Sequence, residues 1–219
     1  MGGRGCWFSL PQNTMNRFST GKFSSNAMTP NSPPLIAIDI ETGGVFPSIN
    51  PLLSVSIVPE WTMEPFTVYI EPLALEVITP EAAKKNGYTL QKWLERGALP
   101  LRKAMLQLND NLQELKESHP KAIFVAHNSA FDAPFLNEAY RQADLPQIIR
   151  YNWRCSLQLM AQRMDDGLIP EGKLSLDRLG ELAGIWPIGG RPLVHEAHED
   201  ALACLKGYRW LKSLSDTAV

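Results

Sequence analysis

Four carboxylates and one histidine, in three separated clusters, carry most of the chemistry this chain could do. Asp39 and Glu41 lie in IAIDIETGG, Asp132 in VAHNSAFDAPF, and His195 and Asp200 in VHEAHEDALAC. Carboxylate oxygens are the ligands that hard divalent cations prefer. Two such ions can clamp the attacking and leaving oxygens of a phosphodiester displacement. An imidazole, which titrates near neutral pH, is suited to take the proton from the attacking water. The chemistry expected is metal-assisted hydrolysis.

Each cluster also has a plainer explanation. Asp39 and Glu41 are two apart on an expected strand, so they point to one face, and acids are poor strand residues. They could instead mark a strand end running into the Gly43–Gly44 turn, with Asp39 accepting backbone hydrogen bonds. Asp132 opens a helix, where an acid is favoured by the helix dipole whatever its function. Asp200 falls in the first turn of the last helix, four and eight residues before Cys204 and Tyr208, at the edge of its buried stripe. His195 follows PIGGRPLV, a stretch where an exposed loop histidine is ordinary. His198 is too close to Asp200 along the helix to be the first choice of base and is expected to be exposed. His127 and Asn128 could support the site or satisfy buried backbone. Phe131 reads as core ahead of a base-stacking platform. Arg191 is a candidate phosphate contact, against the commoner solvated loop charge.

The elements that would position these groups can be read from periodicity. LIAIDI is a buried strand, and LLSVSIV (52–58) and FTVYI (66–70) complete an antiparallel meander with it. A helix follows Pro100, with Leu101, Met105, Leu108, Leu112 and Leu115 on one face. AIFVAH (122–127) is a fourth strand, and a fifth is expected near residues 149–153. A helix starts near Ala133, with Pro134 in its first turn and Phe135, Leu136, Ala139 and Tyr140 on its apolar side. Further helices fit 155–165, 175–183 and 197–213. Ser175 caps the second of these and Gly184 ends it. Ala197, Ala201, Cys204, Leu205 and Tyr208 form the stripe of the third. Strands first, then helices alternating with strands, give a mixed α/β sheet flanked by helices.

Composition narrows the class. A chain of 219 residues with 44% hydrophobic content suits one domain with a real core. No apolar run is long enough to span a bilayer, so a cytoplasmic protein is expected. Cys6, Cys155 and Cys204 are odd in number and without a C-x-x-C pair. They exclude a disulfide framework and a structural zinc site, and suit a reducing compartment. The net charge of −2 argues against a broad, processive duplex binder. It is compatible with an enzyme that grips a few terminal nucleotides, since divalent cations would neutralise the four site carboxylates. Residues 1–34 carry Arg4, Arg17 and Lys22 and no acid, and read as a disordered extension. Their basic, Ser-rich character only weakly fits a transit peptide. SNA before Met28 also resembles what a cleaved purification tag leaves behind, which would make the residues ahead of it foreign to the natural chain. Residues 214–219 form a short tail.

At these residues the chain resembles the DEDDh (DnaQ-like) 3′-5′ exonucleases of the ribonuclease H-like superfamily. The D-x-E of their first motif is matched by Asp39-Ile40-Glu41, the H-N-x-x-F-D of the second by residues 127–132, and the H-x-A-x-x-D of the third by His195, Ala197 and Asp200. A tyrosine-type relative would carry Tyr four residues before the last Asp, where this chain has Glu196. The resemblance spans residues 35–213. One departure is Thr42-Gly43-Gly44 in place of Thr-Thr-Gly, which could alter contacts of Thr42 and its neighbours to the terminal nucleotide. The short stretch ITPEAAKKNGYT (78–89) resembles the ribonuclease T side of the family and carries little weight beside the three motifs.

The resemblance implies a ribonuclease H-like fold with a five-stranded mixed sheet, three antiparallel strands plus two parallel. It implies two divalent cations, Mg²⁺ or Mn²⁺. Asp39 would bridge both, Glu41 and Asp200 would hold the ion carrying the attacking water, and Asp132 would support the second. His195 would be the general base. The expected partner is the 3′ end of single-stranded nucleic acid, DNA ahead of RNA, with release of nucleoside 5′-monophosphates. A polymerase or repair complex and a homodimer are further expectations. The alternative is a non-catalytic nucleic-acid-binding module that kept the fold. A carboxylate-pair glycoside hydrolase would leave the histidine and the remaining acids unexplained.

Overall fold

The structure is a computed structural model that describes residues 32–149, 152–190 and 194–214. Its centre is β1 (Leu35–Thr42), hydrogen-bonded on both sides. β2 (Leu52–Pro59) and β3 (Phe66–Glu71) continue from it as an antiparallel meander. β5 (Ile123–Ala126) lies parallel on its other side. β4 (Leu99–Pro100) and β6 (Arg154–Cys155) are two-residue edges, giving the order β4-β3-β2-β1-β5-β6. Edge strands this short leave little unpaired backbone to recruit other chains.

Alternation along β1 decides where everything else goes. Ile36, Ile38 and Ile40 point into one core, with Met105, Leu108 and Leu112 of α3 (Leu101–Ser118) and Phe135, Leu136 and Ala139 of α4 (Ser129–Ala143). Leu35 and Ala37 point into the other, with Met160 of α5 (Ser156–Asp165), Leu179 of α6 (Leu176–Leu182) and Ala201, Cys204 and Leu205 of α7 (Ala197–Ser213). Each fully buried Leu, Ile or Phe contributes about 1.5–3 kcal/mol, so a one-residue slip of β1 would exchange both faces at once and is strongly opposed. Asp39 and Glu41 are the next two residues on the α7 face.

A third, small cluster joins the sheet to two short helices, α1 (Pro80–Asn86) and α2 (Leu90–Glu95), around Leu53, Trp93 and Ala98. Trp93 is 1% exposed, and its ring N–H donates to the Leu53 carbonyl at 2.8 Å. Thr79 and Thr89 cap the two helices by accepting from the N–H groups of Ala82 and Lys92. Gly87, at φ 62°, ends the first.

The structure corrects the sequence reading in four places. Among the described residues the sheet has six strands, not five, because the two-residue pairing at β4 carries no periodicity to detect. The last strand among the described residues is Arg154–Cys155, while the span expected for it, 149–153, falls partly outside them. Helices α1 and α2 were not expected. Helix α4 starts at Ser129, not near Ala133, so Pro134 is interior rather than in the first turn. Asn128 adopts the left-handed conformation (φ 68°) that Asn tolerates, which turns the chain into the helix early. An interior proline normally costs about 3 kcal/mol. Here Phe131, its ring tilted against that of Phe135 at 5.2 Å, carries the apolar face one turn further upstream. The remaining helices lie where periodicity puts them, and Ser175 caps α6 by accepting from the Arg178 N–H at 3.3 Å.

Candidate metal centre

The end of β1 and the start of α7 bring three carboxylates together. One ligand oxygen each from Asp39, Glu41 and Asp200 lies within 4.8 Å of the others. Glu41 and Asp200 are buried and Asp39 is half-buried. Opposite them on β2 stand Ser56, paired with Asp39, and Ser54, paired with Glu41, both fully buried. Both are small and polar, and the Ser56 hydroxyl is hydrogen-bonded to that of Thr67 at 2.5 Å. His195 joins the group from the segment ahead of α7, its Nδ1 3.7 Å from an Asp200 carboxylate oxygen.

Asp132 is not among the three close carboxylates. It sits in the first turn of α4, 3% exposed, and its Oδ2 makes no hydrogen bond. Burial pushes its carboxyl up to about 8, against a smaller opposing contribution from its own backbone N–H. Burial also pushes the Cys204 thiol up; the Ser156 hydroxyl opposes this, and the charges of Asp39 and Asp132 reinforce it. Asp132 and Asp39 therefore act on the same side chain of α7. An oxygen-only donor set of three acids within 4.8 Å of one another is what a divalent cation would satisfy, and the Asp132 oxygen without a hydrogen bond is a further buried acceptor.

The turn after β1 is built on close approach. A Cβ on Gly43 would lie 2.5 Å from Pro51 Cδ, and one on Gly44 would lie 2.5 Å from Asn50 Cγ. Thr42 is buried, its hydroxyl donates to the Gly44 carbonyl at 2.6 Å, and its carbonyl accepts from Asn86 at 3.0 Å. The hydroxyl is thus engaged in the turn.

The other sequence candidates separate. His127 is half-buried, with Nδ1 2.9 Å from the Ser156 hydroxyl. Asn128 is exposed at the entry to α4. Phe131 packs against the core, as expected. His198, expected to be exposed, is half-buried. Arg191 lies outside the described residues. So do most of the extension 1–34, all but the first residue of the tail, and residues 191–193 of the loop before His195. Sequence reasoning missed Asn86, Arg96, Ser156 and the role of Glu196. The available signal was Thr79-Pro80 with Gly87, a cap, a first-turn proline and a helix end.

No family model matches the chain. It is 31% identical over 124 residues to ribonuclease T of Shewanella denitrificans, a stretch covering 50% of this chain and 53% of that protein. The chain thus spans about half the length of the curated relative it matches. Among solved structures it is similar to Escherichia coli exonuclease I in complex with a dT13 oligonucleotide, with a TM-score of 0.65 at 16% identity, covering 84% of this chain and 42% of that one. It is also similar to exonuclease I from Methylocaldum szegediense, with a TM-score of 0.62 at 19% identity, covering 82% and 41%. At these identities the likeness concerns the fold: a ribonuclease H-like α/β sheet flanked by helices, with six strands among the described residues.

Proposed function

We propose that this chain is a metal-dependent 3′-5′ exonuclease of the DEDDh type, with residues 35–213 as its catalytic domain. The observation that carries the reading is the meeting of Asp39, Glu41 and Asp200 within 4.8 Å, with His195 3.7 Å from Asp200. The names of its relatives, a ribonuclease T and an exonuclease I crystallised with an oligonucleotide, point the same way. Asp39, Glu41 and Asp200 would hold divalent cations, with Asp132 supporting them from α4. Bound there, two Mg²⁺ or Mn²⁺ ions would neutralise charge on the scissile phosphodiester and activate water.

The chain's own residues then have distinct tasks. His195 takes the proton from the water that attacks phosphorus, and Asp200 beside it steadies the resulting imidazolium. The P–O3′ bond breaks, the departing 3′-oxygen takes a proton from solvent while the imidazolium returns its own to solvent, and a nucleoside 5′-monophosphate and a strand with a new 3′-hydroxyl result. Phe131, His127, Asn128, Thr42 and Arg191 are the proposed surroundings of the terminal nucleotide. Single-stranded DNA is favoured over RNA as substrate, by analogy with the oligonucleotide bound to exonuclease I.

The test is time-resolved digestion of 5′-labelled single-stranded DNA and RNA with Mg²⁺, Mn²⁺ or EDTA, beside Asp39→Ala and His195→Ala. The expected result is a metal-dependent ladder shortening from the 3′ end, absent with EDTA and lost in Asp39→Ala. Intact oligonucleotides under every condition would replace this reading with a non-catalytic binding module.

A further inference from the structure

Three consecutive residues ahead of α7 are fastened to the α1–α2 unit, each by a different interaction. Val194 sits against Gly87, where an added Cβ would lie 2.8 Å from Val194 Cγ1. The His195 backbone N–H donates to the Lys85 carbonyl at 2.9 Å. Glu196 accepts two hydrogen bonds from the Arg96 guanidinium, at 2.6 and 2.7 Å, and has Lys92 Nζ at 3.6 Å.

Arg96 is itself held on several sides. Its side chain is 27% exposed, and its guanidinium lies 5.1 Å from the Tyr69 ring and 5.5 Å from the Trp93 ring. It also donates to the Tyr69 hydroxyl at 3.2 Å. The two-pronged bond to Glu196 fixes direction as well as distance, which a lysine in the same place could not do. The Arg96 bonds hold the Glu196 carboxyl below its ordinary range. A rigid path therefore runs from β2 and β3 through Trp93 and Tyr69 to Arg96, then to Glu196, and so to the histidine one residue before it.

We propose that Arg96 is a positioning residue: its paired bond to Glu196 fixes His195 beside Asp200, and so governs turnover and not capture of the strand end. The link to turnover rests on the exonuclease reading above; the clamp itself does not. An ordinary ion pair at this place would affect stability alone.

The experiment uses the full chain, with Arg96→Ala and with Glu196→Gln as the variant that keeps volume should the first fail to fold. Hydrogen exchange of the peptide covering 194–200 is expected to quicken about tenfold, the scale of a lost charged hydrogen bond, with β1 and α3 unchanged. On single-stranded oligonucleotides, kcat is expected to fall about tenfold or more, the order that a misplaced catalytic group costs, while KM stays within about twofold. In a His195→Ala background the same substitutions should lower kcat no further. Unchanged exchange overturns the clamp. An equal loss of kcat with or without His195, or a change confined to KM, overturns the positioning role. Loosened exchange in a protein that degrades no nucleic acid overturns the exonuclease reading and the turnover assignment with it, and leaves the clamp as a structural contact.

Discussion

The two sides of the candidate site are held by different forces. Asp39 and Glu41 ride on a strand paired on both sides and packed between two apolar layers. His195 rides on a segment tied to short helices by a backbone hydrogen bond, a side-chain contact and ion pairs. Burial and ladder hydrogen bonds are cooperative and are not weakened by charge screening, whereas ion pairs at partly exposed positions are directional and screened. The lesson is a division of labour: the metal ligands are set by the core, and the proposed base is set by a detachable frame. Asp200 belongs to both, since it is buried in α7 yet only five residues beyond His195.

Several substitutions could break or sharpen that contrast. The largest effect is expected at Asp39→Ala, which should abolish turnover and weaken Mn²⁺ binding in a calorimetric titration. Because the strand is held by its neighbours, the variant should still unfold cooperatively. His195→Ala should cost about 10²–10⁴-fold in kcat, the range for a lost general base, with Mn²⁺ affinity little changed. A parallel loss of metal affinity would show that the two sides are one unit.

Asp132→Asn tests the metal-free core. The raised carboxyl keeps its proton in the folded chain up to about pH 8, whereas in the unfolded chain it releases it near 3.9. Between those values the folded state binds the extra proton, so stability falls as pH rises through the window. In EDTA the variant should therefore gain in Tm over the parent as pH goes from 5 to 8, by about 2–4 °C for each kcal/mol recovered. A gain independent of pH would remove the titration argument. The smallest effect is expected from salt alone. Raising NaCl from low to high concentration should quicken hydrogen exchange around His195 and leave β1 unaltered; equal behaviour of the two segments would erase the distinction.

What the sequence disclosed follows the same division. Asp39, Glu41 and Asp200 could be found because they interrupt strong patterns, two acids on a β strand and one at the edge of a helical stripe. The meander, α3 and α7 were legible because each has several apolar residues in register. The frame was not. Helices α1 and α2 are seven and six residues long and bury only Asn86 and Trp93 within their spans, too few to make a period. Glu196 and Arg96 are 100 residues apart, and no spacing rule links them. Arg154–Cys155 is a strand only because β5 stands beside it. The helix start at Ser129 turned on a single left-handed Asn128, a conformation that composition permits but does not demand.

Cys204 gives the molecule its own stopwatch. It is fully buried behind Ser156, with its hydroxyl 3.5 Å from the sulfur, and burial pushes the thiol up. Alkylation needs both access and thiolate, so, with Cys155 replaced by serine, a label reaches this sulfur when the packing of α7 against α5 and the sheet opens. The labelling half-life thus times the excursions that separate Asp200 from Asp39 and Glu41. Any ion that ties those three acids together should lengthen it, on a protein that has been given no substrate at all.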